Sequence, residues 1–203
     1  MEPTSPPNVH EDVRILEAQL RECFGRVVYS HKSHEKAADH CLTRLQRVKF
    51  WQILLSAITT GGLIVAVFGD TTTSRFAAML SAFLSTALLA LNTYTKDVDP
   101  GTSAQRHKET AARLWSIRES YLSLLTDLRS RAIGVQTIRD TRDSLQKELS
   151  AIYESAPRTT SDSYVDASTA LQQREELTFS DEEIDTFLPG ELRKLRRATP
   201  NER

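Results

Sequence analysis

The sequence predicts an all-α membrane protein: a two-helix transmembrane hairpin with cytosolic amphipathic helices before and after it. Three observations predict it. Phe50 to Phe68 reads FWQILLSAITTGGLIVAVF and holds no charged residue, and Phe76 to Tyr94, FAAMLSAFLSTALLALNTY, also holds none. Only GDTTTSR, Gly69 to Arg75, lies between them. On either side the chain turns polar, with apolar residues at helical spacing. A helix of about 20 uncharged, mostly apolar residues rises about 30 Å, the thickness of bilayer hydrocarbon. So short a connection makes two such helices antiparallel neighbours. The competing reading is a helical hairpin buried inside a soluble bundle, which is also apolar all round. A chain of 203 residues with a mean hydropathy of −0.38 is too small, and too polar outside the two runs, to wrap them.

Bulk composition narrows the function classes. Lys and Arg number 26 against 27 Asp and Glu, a net charge of −1, so nothing points to nucleic acid and direct binding of it is not expected. Cys23 and Cys41 are the only cysteines, which fits a reducing compartment without a disulfide framework. The opening MEPTSPPNVHEDV has neither the basic nor the apolar region of a signal peptide. The first span is therefore expected to serve as its own uncleaved insertion signal.

The Pro/Ser-rich start, residues 1–10, is expected to be disordered. Residues 11–155 form the main unit, with cytosolic helices over 11–49 and 102–155 and spans over about 50–68 and 76–94. Val13, Leu16, Leu20, Phe24 and Val27 recur at three or four residues. Gly25 falls inside that pattern and weakens the case for an unbroken helix. Ser30 to Lys49 is polar, rich in helix formers, and reads as the cytosolic foot of the first span. After the second span, Asp99-Pro100-Gly101 is turn chemistry, and Thr102 or Ser103 is placed to cap a new helix. That helix carries a stripe of Ala111, Leu114, Trp115, Arg118, Tyr121, Leu122, Leu125 and Leu128. Another, after Gly134, carries Ile138, Leu145, Leu149 and Ile152. Residues 156–177, with Pro157 and TTSDSYVDAST, read as a linker. Residues 178–203 hold a capping box, Ser180 with Glu183, opening a short helix that stops before Leu188-Pro189-Gly190, then a basic tail.

Basic residues beside the spans set the orientation. Lys32, Lys36, Arg44, Arg47 and Lys49 precede the first, and Lys96, Arg106, Lys108 and Arg113 follow the second. The connection has only Arg75. Both termini are expected in the cytoplasm, with the connection outside.

Motifs for chemistry are missing. The chain has no glycine-rich phosphate loop, no HExxH, no CxxC and no GxSxG. His31, His34, His40 and Cys41 are the only cluster of metal-ligand residue types. His31 and His34 lie one turn apart, but His40 and Cys41 are about 9 Å further along a helix, too far for one tetrahedral site. Solvated or interface histidines are the expected reading. Asp140, Asp143 and Glu148 alternate with Arg139, Arg142 and Lys147, as on a solvated face. No catalytic, cofactor-binding or metal residue is assigned, and an enzyme is not expected.

The spans carry the informative polar residues. Gln52, Ser56, Thr59 and Thr60 share one face of the first; Ser81, Ser85 and Asn92 line a face of the second, with Ala78, Ala82, Thr86 and Ala90 beside it. Two readings stand for Ser56, Thr59, Thr60, Ser81, Ser85 and Thr86: they line a pore, or they let helices pack closely and hydrogen-bond. Gly61 and Gly62 at mid-membrane are candidates for a hinge or for a close neighbour. Two helices have no interior, so a channel requires a homo-oligomer.

The order of several strings resembles the SLATT family, bacterial two-span proteins regarded as effectors in conflict and phage-defence systems. The strings are YSHKSHEKAADH, ILLSAITTGGLIVAVF, LSTALLALNTYTKD, HKETAARLWSIRESYLSLLTDL and FSDEEIDTFLPGELRK, covering about Arg14 to Lys194. The FLP-containing tail is most similar to the branch found beside reverse transcriptases. The resemblance implies an effector that forms a pore or disrupts the inner membrane once a separately encoded partner senses infection. It implies a reverse transcriptase or a nucleotidyltransferase as that partner, membrane lipid as the surroundings, and no cofactor.

Overall fold

The computed structural model describes residues 9–189 and residue 193. Of residues 1–10, expected to be disordered, 1–8 lie outside that range while Val9 and His10 already belong to the first helix; the basic tail beyond residue 189, residue 193 apart, lies outside it too. Among the described residues the chain is helical and has no strand.

A single helix of 60 residues, α1 (Val9–Phe68), is the spine of the molecule. At 1.5 Å per residue it runs for about 90 Å. It passes through Gly25, where an added Cβ would meet nothing, so the glycine lowers helix propensity without breaking the helix. The foot and the first span are thus one continuous rod. The connection is tighter than the seven polar residues suggest. Only Gly69 and Asp70 fall between α1 and α2 (Thr71–Val98), because Thr71 to Arg75 already form the first turns of α2.

The return to the head turns on one residue. Asp99 adopts the left-handed conformation (φ 32°) and closes α2, its amide donating to the Thr95 carbonyl at 3.0 Å. Its carboxylate then accepts from the Thr102 amide at 3.1 Å and from the Thr102 hydroxyl, opening α3 (Pro100–Ser130). Those bonds, the hydroxyl first, hold the Asp99 carboxyl below the usual carboxylate range. The cap expected at Thr102 or Ser103 is Asp99 instead. Pro100, with no amide hydrogen to satisfy, occupies the first helical position, and this places the N-cap one residue before it.

The head is a bundle in which α3 and α4 (Val135–Ser155) join the first half of α1. Its core takes Leu16, Leu20, Cys23 and Val27 from α1, Leu114, Ile117, Tyr121, Leu124 and Leu128 from α3, and Ile138, Leu145 and Ile152 from α4. The buried stripe of α3 is rotated from the one expected. Ile117 and Leu124 face inward, while Trp115 and Leu122 are each 43% exposed. The linker expected over residues 156–177 contains a helix, α5 (Ser161–Gln172), started by the Thr160 side chain and packed on α1. Its inward residues are small (Ser163, Ala167 and Ala170), so it lies close without an apolar stripe to announce it. The capping box at Ser180 and Glu183 opens α6 (Asp181–Phe187) as expected.

Candidate functional site

The hairpin turns its apolar residues outward. Phe68, Met79, Ile53 and Phe83 are between 70% and 84% exposed, and only 6% of the most apolar window of each helix is buried. A soluble bundle would cover such a surface; a hairpin standing in lipid needs it. The alternative of a buried soluble hairpin therefore fails. Both helices are long and apolar enough to cross a bilayer.

Between the two helices the contact follows a regular spacing. The buried and half-buried positions include Leu45, Val48, Gln52, Leu55, Thr59, Gly62 and Ala66 on α1, and Ser74, Ala77, Ser81, Leu84, Leu88, Leu91 and Thr95 on α2. Steps alternate between three and four, the period of helices packed at a shallow left-handed crossing. At mid-span the seam is built of small residues. Thr59 and Ser81 are buried, and the Ser81 hydroxyl points to the Thr59 carbonyl at 3.5 Å. A Cβ on Gly62 would lie 2.3 Å from the Ser81 Oγ. Gly62 is thus a close-approach position, and α1 runs unbroken through it and Gly61. Nearer the head, Gln52 donates to Asn92 at 2.8 Å, and the Arg44 guanidinium lies 5.8 Å from the Tyr94 ring centroid.

The six polar candidates of the spans therefore separate. Thr59 and Ser81 face the partner helix. Ser56, Thr60, Ser85 and Thr86 face outward from the hairpin. Three hydroxyls are already satisfied by the backbone one turn back: Thr59 by Leu55, Thr60 by Ser56 and Thr86 by Ala82, at 2.8 to 3.0 Å. Hydroxyls bonded in this way are tolerated in hydrocarbon without a pore. Ser56, Thr60 and Gly61 nevertheless share an open groove on the hairpin surface with Gln52 and Asn92.

Towards the head, the seam between α1 and α3 becomes polar. His31, Lys32, Ser33 and His34 on α1 are buried, as are His107 and Thr110 on α3. His34 and His107 meet through their Nδ1 atoms at 2.9 Å, so one ring donates and the other accepts, a state that requires at least one to be neutral. Burial pushes the His34 pKa down to about 4, with the neighbouring His107 and His31 adding to it, and burial lowers His107 as well. His31 is lowered chiefly by burial, against the pull of Glu35. Burial works against the charge of Lys32 too, but hydrogen bonds to Glu176 and Glu35, at 2.6 and 2.9 Å, outweigh it and raise its pKa.

The histidine and cysteine cluster of the foot is thus split among different neighbours. His34 meets His107, and His31 lies 5.4 Å from Trp115. His40 pairs with Asp166 of α5 at 2.7 Å. Among the described residues no group of three His, Cys, Asp or Glu side chains is placed to hold a metal ion. Sequence reasoning gave His107, Lys108 and Glu176 no role at a site, because they gain that meaning only from residues far away in the chain.

No curated protein and no solved structure matches the chain. One protein family does, over a region that takes in the foot, both spans, α3, α4 and α5. With the match running over residues 16–183, more than four fifths of its length, the chain belongs to the SMODS and SLOG-associating 2TM effector domain family 4.

Proposed function

We propose that this protein is a membrane effector of a bacterial anti-phage system, whose hairpins assemble in the inner membrane into a pore or a bilayer-disrupting cluster when a partner triggers them. Membership of a two-transmembrane effector family supports the class of function. The observation that carries the assembly is the outer surface of the hairpin. Ser56 and Thr60 share with Gln52 and Asn92 an open groove that the second helix of the same chain does not fill. Copies laid side by side would bring such weakly polar faces together around a common axis. Both termini face the cytoplasm in this reading, since the flanking lysines and arginines favour that side. The trigger is a separately encoded protein, a reverse transcriptase or a nucleotidyltransferase, and the effector acts without catalysis of its own.

The test is membrane potential and dye entry in cells expressing the chain with its triggered partner. Collapse of potential is the expected result, and an intact potential would overturn the reading. Thr60→Leu and Ser85→Leu should preserve insertion, because both raise apolarity, while abolishing flux. Full flux in both variants would return these residues to helix packing.

A second reading has its own observation. Trp115 and Leu122 lie two turns apart on α3 and are each 43% exposed on the head. A membrane-anchored scaffold or sensor would use such a face to bind a partner without conducting. Loss of partner capture in Trp115→Ala, with potential intact throughout, would favour it.

A further inference from the structure

A second site lies in the head, where a pocket of about 620 Å³ opens between α1 and α3. Its walls include His31, Lys32 and Lys36 of α1, and Lys108 and Trp115 of α3. Its volume falls in the range of small-molecule sites. Glu176, which follows α5, reaches into it from outside the two helices. Its carboxylate accepts from Lys32 at 2.6 Å and lies 3.4 Å from Lys36. Glu35 and Asp39 also line the pocket, so three ammonium groups meet three carboxylates. Removal of Glu176 leaves the balance positive.

Buried polar atoms without hydrogen-bond partners lie beside this pocket. The Nδ1 of His31 is buried without a hydrogen-bond partner, on a side chain only 4% exposed. Beside it, the Arg118 guanidinium lies 4.5 Å from the Trp115 ring centroid, its Nε and Nη1 buried and without hydrogen bonds. The nearest carboxylate to Arg118 is Glu119 at 3.5 Å. The segment that carries Glu176 is also held awkwardly, with Glu175 at φ 51° and Leu177 at φ 79°, the left-handed region that L side chains disfavour.

We infer that this pocket binds a soluble, phosphate-bearing small molecule through Lys32 and Lys36, and that Glu176 closes it as an internal stand-in for the phosphate. A phosphate group brings more charge and more acceptor oxygens than one carboxylate, and meets lysine as a compact point charge. Its arrival displaces Glu176 and releases the strained turn between α5 and α6. Trp115 lines the rim of the pocket, with the Arg118 guanidinium over its ring. Lipid headgroups do not reach this place. Lys36 and Lys32 lie roughly 20 and 27 Å before Phe50 by helical rise, whereas the headgroup layer is only about 5 to 8 Å deep. The site is independent of whether the hairpin conducts, because the test reads binding and not flux.

The experiment uses the full chain in nanodiscs of zwitterionic lipid, titrated calorimetrically with inorganic pyrophosphate and with ATP. Saturable binding of at least one is expected. Glu176→Gln should tighten it about tenfold and Lys36→Gln should weaken it about tenfold, the scale of one charge-assisted contact. Hydrogen exchange over residues 173–179 should speed up when the probe is bound. Absence of saturable binding in both the native chain and Glu176→Gln would overturn the inference. So would binding that Glu176→Gln does not tighten, or exchange that the probe leaves unchanged. Phosphatidylglycerol in the disc should leave the affinity for the probe unaltered; competition by that lipid would show a headgroup site instead.

Discussion

Two pairs of residues show what small atoms decide here. At the hairpin seam, Gly62 and Ser81 approach so closely that one added carbon meets the Ser81 hydroxyl. Gly62→Ala should therefore weaken the helix contact, and Ser81→Ala in the same chain should restore most of it, because the obstructing oxygen is gone. Interspan cysteine crosslinking, with thermal melts of the four chains of the cycle, checks this. Additivity of the two changes would show that the residues do not touch. In the head, His34 and His107 share one hydrogen bond while buried. The folded pKa of His34, about 4, lies below the ordinary 6.5. Between those values the unfolded chain binds a proton that the folded chain refuses, so stability falls as pH drops from 6.5 towards 4. A shift of this size corresponds to about 3 kcal/mol. Melting of the native chain at pH 7.5 and 4.5 should show the loss, and His34→Gln should remove a large part of the slope. An unchanged slope in that variant would assign it to other groups.

At the scale of elements, α5 is the least advertised part of the fold and the easiest to dislodge. It presses Ala167 and Ala170, both almost fully buried, against α1. Ala167→Leu should overpack this contact at a cost of about 1–3 kcal/mol. It should expose the stretch from α5 onward to protease while α3 and α4 stay protected; uniform protection would mean that α5 can shift without loss. The join between α2 and α3 makes a second case. Asp99 supplies a cap and accepts a positive φ, two tasks that few residues combine. Asp99→Asn should be nearly silent, whereas Asp99→Ala should lose about 1 kcal/mol of cap and add backbone strain, as read by chemical denaturation.

For the whole molecule, α1 is the consequential design. One rod holds the hairpin at one end and the polar seam, the phosphate pocket and the head core along the rest. A shift of the head bundle against α1 has no flexible joint in which to dissipate before the membrane. Fusion reporters at each terminus and at Asp70 should place both termini in the cytoplasm and the connection outside, as the flanking charges favour. A terminus found outside would reverse that orientation.

How much was legible depended on how local the cause was. Apolar length, absence of charge and the shortness of Gly69 to Arg75 are properties of contiguous residues. By themselves they determined an all-α protein with a membrane hairpin, just as Ser180 and Glu183 determined their capping box. Only the tertiary structure decided which span hydroxyls face the other helix, since Thr59 and Thr60 are neighbours in sequence with opposite fates. It alone made a helix of a stretch that reads as a linker, because alanine and serine bury well against a close neighbour yet carry no apolar signal. And it alone brought Glu176 to Lys32 and His107 to His34, pairs whose members stand far apart in the chain. Burial and pairing are properties of the partner as much as of the residue, and a helical chain meets its partners only when it folds.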